Sequence, residues 1–179
     1  LLLSRLETER PTGERGLVSV AEVVEDVAAE ARALSNEQHR ISTTVDESLW
    51  VEGDEEELRS AFSNLLSNAV KYTPAGGRID IRWFEASGAA CLAVADTGQG
   101  IPPHHIPRLT ERFYRVDSGR ATRQGGTGLG LAIVKHVLSR HGAHLEVNSE
   151  MGVGSTFTAV FPVHERHQPS ARSMRASRR

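Results

Sequence analysis

Residues 53–72 read GDEEELRSAFSNLLSNAVKY, and the fold turns on how they are read. At about 100° per residue, Leu58, Phe62, Leu65 and Ala69 fall in one narrow arc, the mark of a helix buried along one side. Acidic residues crowd its first turn, where they complement the helix dipole, and PAGG closes it. The opposite arc carries Asn64, Asn68 and Lys71 and continues back to Glu57 and Ser60. Asparagine is a mediocre helix former because its amide competes with the backbone for hydrogen bonds. Two amides one turn apart can address one ligand. The chemistry that suits them is a magnesium-bridged polyphosphate. Mg²⁺ keeps most of its waters and takes few protein ligands, a neutral amide oxygen adds no negative charge, and Lys71 can meet a phosphate as a point charge. A solvent-facing side that happens to carry asparagine fits the same pattern.

Outward from this helix, VAEVVEDVAAEARAL before Ser35 repeats apolar residues at helical spacing, with Ser19 and Glu22 spaced as a capping box. HRISTTV and LWVEG read as strands, and RIDIRWFE and AACLAVAD as a hairpin across Ser87–Gly88. GLGLAIVKHVLSRHG reads as a helix ending at Gly142, and HLEVNS and STFTAVFP as strands joined by the turn EMGVG. From Ile106 to Gly126 the chain is polar, basic and without a period, which reads as one long loop. This order predicts an α/β fold, a two-layer sandwich of a mixed, mainly antiparallel sheet with helices on one face.

The 179 residues suit one globular domain with modest extensions. The formal charge of −2 conceals an asymmetry, with 9 basic against 18 acidic side chains in residues 1–100 and 12 against 5 in residues 101–179. The single cysteine, Cys91, lies in the apolar run CLAVA, which excludes an internal disulfide and reads as a buried reduced thiol. No apolar run approaches the roughly 18–20 residues that span a bilayer. The closing stretch HERHQPSARSMRASRR is basic and aperiodic, which reads as a disordered tail rather than a nucleic-acid or membrane site.

Three further stretches carry chemistry. In ADTGQGI, Asp96 ends an apolar strand and is followed by Gly98 and Gly100. A carboxylate there can accept the exocyclic amine of adenine, and the glycines leave room for the ring; a plain Asp/Gly turn reads the same way. In GGTGLGLAIVKHV, Gly126, Gly128 and Gly130 free backbone N–H groups where a helix begins, and a helix N-terminus attracts anions. A dinucleotide-binding turn should follow a strand, which RVDSGRATRQ does not provide, and the chain has no GxxxxGK[ST], HRD or DFG. Within the long loop, Arg108, Arg112, Arg115, Arg120 and Arg123 surround Phe113 and Tyr114, as in a positive lid over a polyphosphate.

Together these residues resemble bacterial sensor histidine kinases. DEEELRSAFSNLLSNAVKYT is similar to their N box, DTGQG to the first glycine box, ERFYR to the F box, GTGLGL to the second glycine box and GVGSTF to the last glycine segment, from about Val20 to Pro162. IPRLTERFYRVD followed by GGTGLGLAIVKHVLSRH looks most like the phosphate-regulon sensors. The resemblance implies a Bergerat-type fold that binds ATP with Mg²⁺. It implies Asn68 as the Mg²⁺ ligand, Asn64 beside the phosphates, and Lys71 and Tyr72 along the phosphate and ribose side. Asp96 would receive the adenine amine in a pocket with Gly98, Gly100 and Ile101, and Tyr114 and Arg115 would belong to the F box, Arg115 near the γ-phosphate. Gly126 and the backbone of Thr127, Gly128, Leu129, Gly130 and Leu131 would wrap the phosphates, and Ser155 or Thr156 would help hold Asp96. Asn64, Lys71 and Arg115 form the expected catalytic set.

The resemblance also implies a division into the end of a dimerisation helix and linker at 1–18, a catalytic domain at 19–163 with its lid at 107–126, and a tail at 164–179. The family's phosphorylated histidine sits in an S-H-E-L-R-T-P-like segment, and none of the 8 histidines here has that context. The acceptor is therefore expected on a dimerisation domain outside this sequence, in a homodimeric membrane sensor whose phosphoryl group passes to a response regulator. Two rivals share the fold. Hydrolases such as gyrase and Hsp90 carry a glutamate four residues before the magnesium asparagine, where this chain has Asn64, which cannot usefully take a proton. A regulatory module that only binds nucleotide is the other.

Overall fold

The computed structural model describes residues 15–116 and 127–167. The chain runs β1 (Gly16–Ser19), α1 (Val20–Ser35), β2 (Arg40–Val45), β3 (Leu49–Gly53) and α2 (Glu55–Tyr72). It continues through β4 (Arg78–Ala86), β5 (Ala89–Asp96), a 3₁₀ segment (Pro103–Arg108), α3 (Gly130–Arg140), β6 (His144–Glu150), β7 (Gly154–Phe161) and β8 (Glu165–Arg166). Five strands form the main sheet in the order β2-β4-β5-β7-β6. Only β2 and β4 run parallel in it; the other pairs are antiparallel. A smaller antiparallel sheet, β1-β3-β8, stands beside it. The mixed sandwich expected from the sequence is the one observed.

The core lies between the three helices and alternate residues of the main sheet. Two inward rows cross the strands, Ile81–Val94–Phe157–Val147 and Trp83–Leu92–Ala159–Leu145. Phe62 of α2 meets Phe161 edge-on at 6.4 Å, and Trp83 meets the same ring at 5.9 Å. Truncating a buried aromatic of this kind costs about 3–5 kcal/mol.

Helix α2 begins where Asp54, in extended conformation, accepts the Glu57 N–H at 3.1 Å, a cap worth ~1 kcal/mol. It ends at Thr73, which precedes Pro74 and is held extended by the proline ring, at φ −94° and ψ 126°. The β4–β5 hairpin turns through Ser87 and Gly88, both at positive φ, the conformation that matches strand twist in a two-residue hairpin.

Several expectations need correction. Ser19 makes no side-chain cap, so the capping box does not form; it is the last residue of β1, where pairing with Trp50 fixes its backbone. Residues 16–18, expected as linker, are strand. The presumed loop from Ile106 starts inside a 3₁₀ segment opened by Pro103, where proline's fixed φ is tolerated. The folded part also extends past residue 163. Glu165–Arg166 pair with β3 because Arg166 binds the Glu85 carboxylate at 2.8 Å and His164 binds it at 2.9 Å, while Trp50 packs on His167. The expected dimerisation-helix end at 1–14, the rest of the tail at 168–179, and lid residues 117–126, including Gly126, Arg120 and Arg123, lie outside the described residues. Among the described residues no helix is long and apolar enough to cross a membrane.

Candidate active site

The apolar rows of the sheet end in a polar one. Ile79, Asp96, Ser155 and Ser149 lie side by side across β4, β5, β7 and β6, on the same face as the core. Strand alternation therefore delivers Asp96 to the top of the hydrophobic layer, next to the C-terminal end of α2. Its Oδ1 accepts the Gly98 N–H at 2.8 Å. Burial pushes the carboxyl above its ordinary value, and backbone N–H groups of Gly98 and Ser155 pull part of that back. A half-buried carboxylate already engaged on one side has a definite direction left for a donor. Gly98 lies so close to α2 that a Cβ would sit 2.6 Å from the Tyr72 carbonyl oxygen. The first glycine segment is thereby pressed onto the end of the asparagine helix.

On α2, Asn64 and Asn68 are half-buried and Lys71 sits beside Tyr72, its ammonium 5.0 Å from the ring centroid. Asn64 Nδ2 donates to the Ser60 carbonyl at 2.8 Å. That turns its Oδ1 toward α3, where a Cβ on Gly130 would stand 2.8 Å away. Glycine at 130 thus lets the N-terminus of α3 close on the asparagine face. The Asn68 amide makes no side-chain hydrogen bond among the described residues.

The F-box segment joins the second glycine segment through the backbone, the Phe113 N–H donating to the Gly128 carbonyl at 2.9 Å. Phe113 is 71% exposed and holds φ +63°. Tyr114 hydrogen-bonds His105 through its hydroxyl and lies under the Arg108 guanidinium, which also pairs with Glu111 at 3.1 Å. Arg108 is therefore part of the segment's own scaffold. Arg115 is half-buried one residue further on, and Thr127, Leu129 and Leu131 flank Gly128 and Gly130 where α3 begins.

The structure thus brings Asn64 to the start of α3, Asp96 to Gly98 and Tyr72, and Phe113 to Gly128. Gly100 packs its Cα on the Glu150 carbonyl, and the Ile101 N–H donates to Ser149 Oγ at 2.8 Å. Thr156 alternates to the other face, opposite Ala95 and Asn148, and only Ser155 adjoins Asp96. Two residues and one contact go unread in the sequence. Ser149 is one, although period-two alternation from Leu145 and Val147 puts it inward. Thr97, whose Oγ1 accepts the Arg78 N–H at 2.9 Å, is another. The contact is that of Glu57, which helical spacing already sets on the asparagine face: it lies 3.2 Å from Arg140 and 3.9 Å from His141 Nδ1, with its side chain 10% exposed. No local signal places a residue of α2 against the far end of α3.

A helix-backed mixed sheet with a half-buried aspartate at the end of its central strand, beside glycine segments and an asparagine-bearing helix, defines an ATP-binding α/β sandwich of the Bergerat type. Residues 53–165 match the family described as histidine kinase-, DNA gyrase B-, and HSP90-like ATPase, and the chain belongs to it. It is 55% identical over 162 residues to the phosphate regulon sensor protein PhoR of Pseudomonas aeruginosa, covering 90% of this chain and 37% of that protein. The mycobacterial sensor histidine kinase MprB superposes with a TM-score of 0.76 at 32% identity, covering 86% of this chain and all of that one. Full-length ShkA, solved with AMPPNP, gives a TM-score of 0.77 at 28% identity, covering 92% of this chain and 34% of that one. The chain spans a little over a third of the length of its PhoR relative.

Proposed function

We propose that this chain is the catalytic domain of a phosphate-responsive sensor histidine kinase, transferring the γ-phosphoryl of Mg-ATP to a histidine on a separate dimerisation domain. In that step an imidazole nitrogen forms the new bond to phosphorus, the bond to the β-γ bridging oxygen breaks, and ADP leaves. Transfer of this kind needs alignment and charge neutralisation more than a protein base. Asp96 and the Gly98 segment hold the adenine end. Lys71 and Arg115 meet the phosphates with the backbone N–H groups from Thr127 to Leu131. Asn68 has the chemistry for the metal, a neutral oxygen with no competing partner among the described residues. Mg²⁺, when bound, neutralises phosphate charge.

The observation that carries the reading is Asn64 set against Gly130 at the α3 N-terminus. A carboxylate at that place would serve water as a general base, whereas an amide cannot. Glu57 does not replace it, because its carboxylate is engaged by Arg140. By the same reading the whole protein is a homodimeric membrane sensor, and its phosphoryl group passes to an aspartate of a response regulator. The test mixes the chain with γ-labelled Mg-ATP and a separately made acceptor domain, following acid-labile label on the partner together with free phosphate. Label on the partner is the expected result; free phosphate alone would replace transfer by hydrolysis.

A further inference from the structure

We infer that Ser149 is a positioning residue for the adenine side of the site, acting through the loop Gln99–Ile101. The inference rests on the ATP-binding reading above. Ser149 stands at the end of β6 in the polar row with Asp96 and Ser155. Its hydroxyl accepts the Ile101 N–H at 2.8 Å, lies 3.0 Å from the Gly154 carbonyl oxygen and 2.8 Å from Ser155 Oγ. One hydroxyl offers one donor and two acceptor sites. With Ile101 and Ser155 donating to it and its own proton given to Gly154, Ser149 uses all three. Nothing else in a serine is left to vary, so its orientation is fixed.

The three partners belong to different parts of the pocket. Ile101 closes the first glycine segment. Gly154 starts β7, its Cα against the Asp96 carbonyl, and Ser155 lends its backbone N–H to the Asp96 carboxylate. Two more ties run in parallel, the Gly152 N–H to the Gln99 carbonyl at 2.8 Å and Gly100 packed on the Glu150 carbonyl. Of these, only Ser149 works through a side chain. It sets the height of the loop above Asp96, and so the width of the slot that an adenine ring would enter. Substituting Ser149→Ala leaves the Ile101 N–H half-buried without its acceptor, while both backbone ties persist. The loop then keeps its path but loses its register on Asp96.

The test is a binding titration of the chain with Mg-ATP and with Mg-GTP, for wild type, Ser149→Ala and Ser149→Thr, beside thermal melts without nucleotide. Ser149→Ala is expected to weaken ATP binding about tenfold, because the loop then has to be ordered as the nucleotide binds, and to narrow the ATP-over-GTP preference by a similar factor. Ser149→Thr keeps the hydroxyl and is expected to stay within about twofold of wild type. Equal affinity of Ser149→Ala and wild type overturns the inference, as does an equal loss for both nucleotides, which would mark a purely structural serine. Failure of Ser149→Thr to restore what Ser149→Ala loses overturns it too. A wild-type chain that binds no ATP refutes the functional reading itself, a different outcome from any of these.

Discussion

Substituting Asp96→Asn separates what this carboxylate does for the fold from what it does for the nucleotide. The asparagine oxygen can still take the Gly98 N–H, held at 2.8 Å in the wild type. The position of the second carboxylate oxygen becomes an NH₂ donor, which opposes the adenine amine. A hydrogen bond to a charged group contributes about 1.5–3 kcal/mol, so ATP affinity should fall roughly 10- to 100-fold, and GTP, which presents an acceptor there, should lose less. Stability should respond in its own way. Burial raises the Asp96 pKa above the ordinary 3.8, so the ionised form is disfavoured in the folded state. A group with a raised folded value contributes stability that is fully present below its unfolded value and is lost as pH rises through the folded one. Asparagine does not titrate, so the melting-temperature difference, wild type minus Asp96→Asn, should shrink between pH 3.8 and the raised value. ATP affinity of the wild type should run the other way, weakening as pH falls through the same range. Isothermal titration and melts across that range measure both. A stability difference that is flat or grows with pH would refute the burial argument, and unchanged ATP affinity in Asp96→Asn would remove Asp96 from the adenine pocket.

Asn68→Asp places a negative charge beside the triphosphate and should weaken Mg-ATP binding about tenfold; affinity equal to wild type in the same titration would detach Asn68 from the metal. Gly154→Ala sets a Cβ 1.9 Å from the Asp96 carbonyl oxygen at a residue with φ +143°. It should cost about 2–4 kcal/mol and lower the melting temperature by roughly 5–15 °C, so a melt within about 2 °C of wild type would show that the β5–β7 junction yields. Glu57→Gln removes the charge from the 3.2 Å contact to Arg140 and should lower stability by about 1 kcal/mol without lowering phosphoryl transfer to a supplied acceptor domain. If phosphate release collapses in Glu57→Gln while ATP still binds, Glu57 is a base and the domain is a hydrolase.

The legible parts of this molecule are those fixed by local period. Leu58, Phe62, Leu65 and Ala69 announce α2 and its buried side, and the alternation in RIDIRWFE and AACLAVAD announces two half-buried strands. Asn64, Asn68 and Asp96 stood out because a residue type disagreed with its setting, amides inside a helix and a carboxylate ending an apolar strand. Other features depend on contacts between distant segments. Alternation from Leu145 and Val147 sets residue 149 inward, but what it holds shows only once β7 delivers Ser155 beside it and the glycine segment brings Ile101 above it. Ser19 illustrates the reverse failure: its spacing to Glu22 fits a capping box, but pairing of β1 with β3 holds its backbone and the side-chain bond is not made. Arg108, a lid cation by its place in the sequence, is occupied by Glu111 and the Tyr114 ring. Composition alone cannot tell such an arginine from one free to meet a phosphate.

The two ends of the proposed nucleotide site are held by different kinds of structure. The adenine end rests on the main sheet, where Asp96, Ser155 and Ser149 are fixed by strand register and by hydrogen bonds that need no ligand. The phosphate end depends on side-by-side contact of separate elements, Asn64 of α2 against Gly130 of α3 and Phe113 hydrogen-bonded to Gly128. Sheet register shifts only in whole residues, whereas packed helix ends slide by smaller steps. On the proposed reading, base recognition is thus preorganised, and the alignment of the γ-phosphoryl is the part left to adjust. This matches the chemistry proposed for the chain, since the nucleophile arrives on another domain and the phosphate end has to accommodate it. Substitutions in the polar row should therefore act on affinity and base selectivity, and substitutions at Asn64, Gly128 or Gly130 on the rate of transfer at saturating ATP. Comparing KM and kcat between those two groups would reveal the division, and parallel losses in both constants for both groups would show that the ends are not separable.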